Sequence, residues 1–262
     1  MRHSLLIILA LLISCVAACW ARSDDGSSVR SSVIKAEEKL YAVEDRYDQA
    51  GKTAGQAPPD SMSPKWEKDT IDTTAGAEYL TEIERQVVIE INNVRTDPAE
   101  YARRYLSPLR SYYHNNLLQF PGEIAISTNE GIRALDECVK ELKFVKPLFP
   151  LSPKKGLTLA ARDHARDQAI TGATGHIGSD RTTTKVRLNR YGTCDISAGE
   201  NIGYGNEDIR RIVTSLLIDD GVPSRGHRRN LLNGTFKFVG VSVGPHRVYG
   251  HICVMDFAGL YR

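Results

Sequence analysis

The sequence predicts an α+β domain over residues 76–262 of a 262-residue chain. Three observations carry that expectation. Apolar residues recur at three- and four-residue steps in several separate segments, as in helices with one buried face. Two runs near the C-terminus, Phe238–Val243 and Val248–Phe257, alternate as paired strands do. No Gly-rich phosphate loop follows a strand, and strands and helices do not alternate regularly, so a doubly wound parallel sheet is not expected.

The elements follow in order. Tyr79-Leu80, Ile83, Val87-Val88, Ile91 and Val94 mark a first helix, which Asp97-Pro98 closes. Pro98 then opens a short second helix at its first turn. Residues 106–128, with Pro108, Asn115-Asn116 and Pro121-Gly122, read as irregular. Asn129–Phe144 reads as a helix burying Ile132, Leu135, Cys138 and Leu142, and Leu157–Ile170 as another. A Gly- and Thr-rich loop from Thr171 to Thr184 precedes a short helix, Thr183–Tyr191, that ends at Gly192. Cys194–Ile202 is expected to be extended, Asp208–Ile218 helical, and His227–Leu232 the start of a short helix after Gly226. Gly244-Pro245-His246-Arg247 is the predicted turn of a terminal hairpin.

The N-terminal quarter reads as targeting and tether. Arg2 and His3 precede an apolar run from Leu5 to Ala18. That run falls short of the roughly 20 residues that span a bilayer and matches the apolar core of a secretory signal over residues 1–18. Val16-Ala17-Ala18-Cys19 has the small-residue pattern that precedes a lipid-modified cysteine, so Cys19 is the candidate lipid anchor; the alternative is cleavage near Ala18 or Ala21 and free secretion. Residues 19–75 are polar and rich in breakers, with only a weak helical stripe at Val33, Leu40, Val43 and Tyr47. The expected organisation is therefore a signal peptide, a tether, and a domain over residues 76–262.

The composition is 41% hydrophobic and 25% charged, as in ordinary globular proteins. A formal net charge of +2 argues against a nucleic-acid partner and against attachment of the whole chain to an anionic membrane by charge alone; membrane contact is expected only through the N-terminal anchor. Cys138, Cys194 and Cys253 remain after the signal, so at most one internal disulfide can form, with Cys194 and Cys253 as plausible partners.

The chemistry concentrates in the second half. His176 lies in Thr174-Gly175-His176-Ile177-Gly178-Ser179 and His227 in Ser224-Arg225-Gly226-His227-Arg228-Arg229-Asn230, with Gly199-Glu200-Asn201-Ile202 between them. Two imidazoles and a carboxylate beside small residues can bind a divalent metal or move protons. Asn201 is expected to fix its loop through its amide, and Ser179 and Ser224 lie near the histidines in sequence. Arg225, Arg228 and Arg229 read as a solvated face, and His164, His246 and His251 show no partner in sequence.

These motifs, taken with Leu159-Ala160-Ala161-Arg162-Asp163-His164-Ala165 before them and Phe238-Val239-Gly240-Val241 after them, resemble the CAP superfamily over roughly residues 80–262. That superfamily holds the cysteine-rich secretory proteins, antigen 5 and pathogenesis-related 1 proteins. The Gly226-His227-Arg228 helix start is most similar to the bacterial, SCP-like branch. The resemblance implies a three-layer α-β-α sandwich with a small antiparallel sheet and a central cleft lined by two histidines and two acids. His176, Glu200 and His227 match three of those positions, and Asp220 of the Asp219-Asp220 pair aligns with the fourth. The family's aromatic Gly-His-Tyr-Thr-Gln stretch is replaced here by arginines.

The resemblance leaves three readings open for a secreted or envelope-anchored protein. One is a non-enzymatic module that binds a small apolar ligand, a glycan or a partner protein. The second is a metal-dependent hydrolase, with zinc on the histidines and Glu200 as general base. The third is a structural envelope domain with a vestigial cleft. No cofactor is certain; zinc is the candidate.

Overall fold

The computed structural model describes residues 71–262. The expected signal segment, Cys19, the stripe from Val33 to Tyr47 and nearly all of the tether lie outside the described residues. Among those described, no helix is long and apolar enough to cross a membrane.

The first helix, α1 (Glu82–Thr96), starts at a reciprocal cap. The Thr81 hydroxyl accepts from the Glu84 amide, and the Glu84 carboxylate accepts from the Thr81 amide at 2.8 Å. Pro98 opens α2 (Pro98–Tyr101), as its fixed φ favours. The stretch expected to be irregular holds a wide turn at Ala102–Leu106, a 3₁₀ turn at Ser107–Tyr112, and a small antiparallel sheet. Its strands are β1 (Tyr113–His114), β2 (Leu117–Leu118) and β3 (Ile126–Ser127). Two-residue strands carry too little periodicity to be read in sequence. Helix α3 (Ile132–Leu142) and helix α4 (Lys155–Thr171) then flank a further short strand, β4 (Ser152–Pro153).

The second half supplies α5 (Thr184–Leu188), β5 (Ala198–Tyr204), α6 (Ile209–Ile218), α7 (Gly226–Leu231), β6 (Phe238–His246) and β7 (Gly250–Ala258). The main sheet runs β4-β6-β7-β5. It is mixed where an antiparallel sheet was expected, because β4 lies parallel to β6. The hairpin is longer than its Gly-Pro signal indicated: Pro245 sits inside the ladder opposite His251, and the turn falls between His246 and Gly250. Pro245 is tolerated because β4 pairs with only Phe238 and Val239, which leaves the other edge of β6 open there. The His246 ring closes the turn by accepting the Val248 and Tyr249 amides at Nδ1.

Side-chain alternation sorts the sheet into two faces. Val239 and Val241 of β6, with Cys253, Met255 and Phe257 of β7, join α1, α3 and α6 in the main core. Ile202 of β5, with Ile252 and Val254 of β7, packs on Ala161 and Ala165 of α4. The result is an α+β sandwich of three layers. Cys253 belongs to the main core and Cys194 to the cluster of Leu157, Leu188 and Tyr261. The Cys194–Cys253 pairing is therefore corrected: Cys138, Cys194 and Cys253 are all free and buried, and the fold places Cys194 and Cys253 in different clusters.

Gly240 sets the closeness of α4 to the sheet. A Cβ there would meet the Leu157 carbonyl carbon at 2.1 Å and the Thr158 nitrogen at 2.2 Å, both backbone atoms that cannot rotate away. Gly240→Ala should lower unfolding stability by at least about 1–3 kcal/mol in urea titrations, as expected of an overpacked core. An unchanged midpoint would show that α4 does not bear on β6 at this point.

Candidate functional site

Strand β5 is an edge of the sheet, and its alternation divides the candidate residues. Glu200 and Ile202 share the parity that faces α4, while Asn201 and Gly203 face α6 and α7. Consecutive residues of one edge strand therefore serve the two histidine segments from opposite sides.

On the α4 side, the loop after Thr171 carries His176. Its backbone is clamped by groups that showed no partner in sequence. His246 donates from Nε2 to the Ala173 carbonyl at 3.0 Å. Buried His164, whose pKa burial lowers, donates to the Gly175 carbonyl at 2.8 Å. Tyr204 accepts the Gly175 amide at 3.0 Å and donates to Gln168 Oε1 at 2.7 Å. So held, the His176 ring places Nδ1 2.7 Å from Glu200 Oε1. A carboxylate only accepts, so Nδ1–H donates, which turns Nε2 away from it. The His176 side chain is 46% exposed and that of Glu200 only 2%.

Both oxygens of Glu200 are engaged. Oε1 also accepts the Thr184 hydroxyl at 2.9 Å, and Oε2 accepts Arg187 Nη2 at 2.6 Å. Arg187 is itself buried and ties the same loop through the His176 and Thr182 carbonyls. The Thr183 N-cap of α5 sets Thr184 and Arg187 three residues apart on one helical face. Burial opposes the Glu200 charge, but the His176 hydrogen bond and the Arg187 guanidinium outweigh it and bring the carboxyl down to about 2. Its cross-strand neighbour, Asp256, is also buried. Burial, and then the negative Glu200 beside it, push Asp256 well above its ordinary range. The negative charge is thus favoured on Glu200, beside Arg187, and disfavoured on Asp256.

On the other side, α6 ends at Asp219 in a left-handed conformation, φ 55° and ψ 44°. Aspartate tolerates that conformation better than most residues. The turn brings Asp219 Oδ1 to His227 Nδ1 at 2.6 Å and Oδ2 to the His227 amide at 2.9 Å. The expectation for Asp220 is corrected here. Asp220 accepts the Asn129 and Glu130 amides at 2.6 and 2.8 Å, bracing the loop before α3. Reversal of the chain at Asp219 sends the two adjacent carboxylates in different directions. Asn201 donates to the His227 carbonyl at 3.0 Å and accepts from Asn230 at 2.9 Å, so the strand is stitched to α7. Gly199 admits this contact, since a Cβ there would meet Phe236 at 2.9 Å and Asn230 Oδ1 at 3.0 Å.

The arginines around His227 are not all on a solvated face. Arg228 is fully buried, donating to the Leu217 and Ile218 carbonyls and pairing with Glu137 and Glu141. Arg225 pairs with Glu130 and Glu137 and donates to the Asp219 carbonyl at 2.9 Å. Arg229 alone of the three is exposed. Ser179 is directed away from His176, bonding to Asp167 through both its amide and its hydroxyl.

Among the described residues, no group of three or more His, Cys, Asp or Glu side chains is arranged to hold a metal. Glu200 has its oxygens engaged by Arg187, Thr184 and His176, and Asp219 has both committed to His227. The zinc set of His176, Glu200, Asp220 and His227 is thus not assembled. What the chain does assemble is two imidazoles, each oriented by a buried carboxylate at Nδ1. No described protein group hydrogen-bonds the Nε2 of either.

The family model described as the cysteine-rich secretory protein family, CAP, matches residues 145–257. No curated protein matches the chain. Among solved structures, an extracellular protein containing an SCP domain from Bacillus anthracis is 28% identical, over 42% of this chain and 34% of that one, with a TM-score of 0.36. An outer surface protein from Borrelia burgdorferi is 22% identical over 48% of this chain and 89% of that one, with a TM-score of 0.37. A cysteine-rich secretory protein from Staphylococcus aureus is 19% identical over 49% of this chain and 38% of that one, with a TM-score of 0.35. The chain spans about a third of the length of the Bacillus anthracis protein.

The buried charges make two predictions. Arg187→Met removes the guanidinium that balances the buried Glu200 carboxylate and should cost about 3–5 kcal/mol in urea unfolding; adding Glu200→Gln should recover part of the loss. Equal instability of the single and double variants would show that Arg187 does not act through Glu200. Asp256 has a folded pKa above its ordinary 3.8, so its contribution to stability is present below that value and lost as pH rises. Asp256→Asn should therefore raise the melting temperature at pH about 7, with the gain shrinking as pH falls toward the ordinary aspartate value. A gain independent of pH would mean that Asp256 is ionised in the folded chain.

Proposed function

We propose that the protein, whose residues 145–257 match the model of the cysteine-rich secretory protein family, CAP, is a non-enzymatic extracytoplasmic binding module. Its ligand is a small molecule, glycan or partner held by the Nε2 atoms of His176 and His227 in a cleft at the β5 edge. The observation that carries this reading is the pairing of each imidazole with a buried carboxylate at Nδ1, His176 with Glu200 and His227 with Asp219. Such pairing fixes ring orientation and tautomer before a ligand arrives, which lowers the ordering cost of binding. In the neutral ring, Nε2 then accepts a hydrogen bond; in the protonated ring it donates.

The hydrolase reading is weaker on the same geometry. A general base works best with a pKa near the operating pH, whereas Glu200 lies at about 2 with its oxygens occupied. Ser179 is bound to Asp167 and does not supply a nucleophile for His176. Secretion, with an anchor at Cys19, rests on the N-terminal apolar run and the small residues before that cysteine.

The test uses the purified full chain on an immobilised glycan array and, separately, with cis-parinaric acid as an apolar fluorescent probe. Saturable binding to one of these is expected. His176→Ala/His227→Ala should weaken it by at least about tenfold, the equivalent of one hydrogen bond, with the circular dichroism spectrum unchanged. Binding that survives the double substitution would move the site elsewhere. Turnover of a bound glycan, lost in Glu200→Gln, would overturn the non-enzymatic reading.

A further inference from the structure

We propose that the loop between α3 and β4, residues 143–150, is a docking surface for an anionic lipid bilayer, separate from the N-terminal anchor and from the histidine site. Phe149 is 91% exposed and Phe144 80%, the two most exposed of the large apolar side chains among the described residues. Both lie in Lys143-Phe144-Val145-Lys146-Pro147-Leu148-Phe149-Pro150. Val145 and Leu148 turn partly inward, whereas Lys143, Phe144, Lys146 and Phe149 point to solvent. The loop thus exposes two rings and two ammonium groups while Val145 and Leu148 are half-buried.

The exposure is built into the fold. The Leu148 amide donates to the Arg95 carbonyl at 2.8 Å, and Arg95 Nε donates back to the Phe149 carbonyl at 3.0 Å. These two bonds hold the Leu148–Phe149 backbone against α1. The Leu151 amide donates to Asn92 Oδ1 at 2.8 Å. Arg95 and Asn92 are both buried, and Arg95 is itself fixed by the Leu231, Asn233 and Phe236 carbonyls. Pro147 and Pro150 restrict the backbone further. The rings are therefore presented to water by a rigid support, against the hydrophobic effect, and no described residue covers them.

The chemistry of the outer side selects the occupant. No acid occurs between Lys143 and Arg162, so the loop is locally cationic although the whole chain is nearly balanced. Protein interfaces deplete lysine around their apolar centres. Here Lys143 and Lys146 alternate with the rings. Aromatic rings that enter the headgroup boundary, beside lysines that stay with anionic headgroups, are the pattern of an interfacial contact. A second contact of this kind would give a domain tethered by a lipid at Cys19 a fixed face toward the bilayer.

The test uses the full chain carrying Phe149→Trp, with the unsubstituted chain subtracted to remove Trp20 and Trp66. Vesicles of equal parts phosphatidylcholine and phosphatidylglycerol, with brominated acyl chains, should quench the introduced indole. Lys143→Ser/Lys146→Ser in the same background should weaken vesicle binding roughly 30-fold, the effect of two lysines near an anionic surface. No quenching beyond the unsubstituted chain would overturn the proposal, and equal quenching by pure phosphatidylcholine would overturn its anionic part. An indole emission already blue-shifted without vesicles, with a mass by light scattering that rises with concentration and falls in Phe144→Ser/Phe149→Ser, would assign the face to a second copy of the chain instead.

Discussion

A single buried carboxylate organises the site. Glu200 sits 2% exposed on an edge strand, and its charge is stable there only because Arg187, Thr184 and His176 reach it together. Each of those partners belongs to the segment between α4 and β5. Pairing the carboxylate therefore also folds that segment against the sheet. The same arrangement makes Glu200 a poor base, since the bonds that stabilise the anion also lower its affinity for a proton. Burial and the neighbouring Glu200 charge both raise the proton affinity of Asp256, which disfavours a second negative charge in the interior.

The second imidazole is fixed by a different device with the same outcome. At His227 the acid comes from a helix end in a left-handed turn, and Arg225 and Arg228 anchor that turn to α3. The two devices meet at Glu200 and Asn201, neighbours whose side chains leave β5 on opposite faces. Strand alternation is thus what couples the histidine segments. A one-residue slip of β5 against β7 would exchange the two faces and dismantle both.

Rigid presentation recurs elsewhere in the molecule. The loop from Lys143 to Pro150 is pinned by Arg95 and Asn92 while its rings remain in water, and the loop carrying His176 is pinned by His164, Gln168 and His246 while its imidazole remains accessible. In both, buried polar side chains bind the backbone, which leaves the Phe149 ring and the His176 Nε2 facing outward. Buried polar groups need hydrogen-bond partners, and these loop carbonyls and amides supply them.

The sequence by itself determined the α+β class, the helices of three or more turns, the hairpin strands, and the residues His176, Glu200, Asn201 and His227 as a group worth joining. Those features depend on periodicity or on short local motifs, which a single chain displays directly. Only the tertiary structure decided that Asp219 and not Asp220 meets His227, because a left-handed residue at a helix end turns neighbouring side chains apart. It also decided that Arg187 pairs with Glu200, that Arg225 and Arg228 are clamps, and that the three cysteines are free. Each of those depends on contacts between segments distant in sequence or on burial, and neither leaves a periodic trace in the chain.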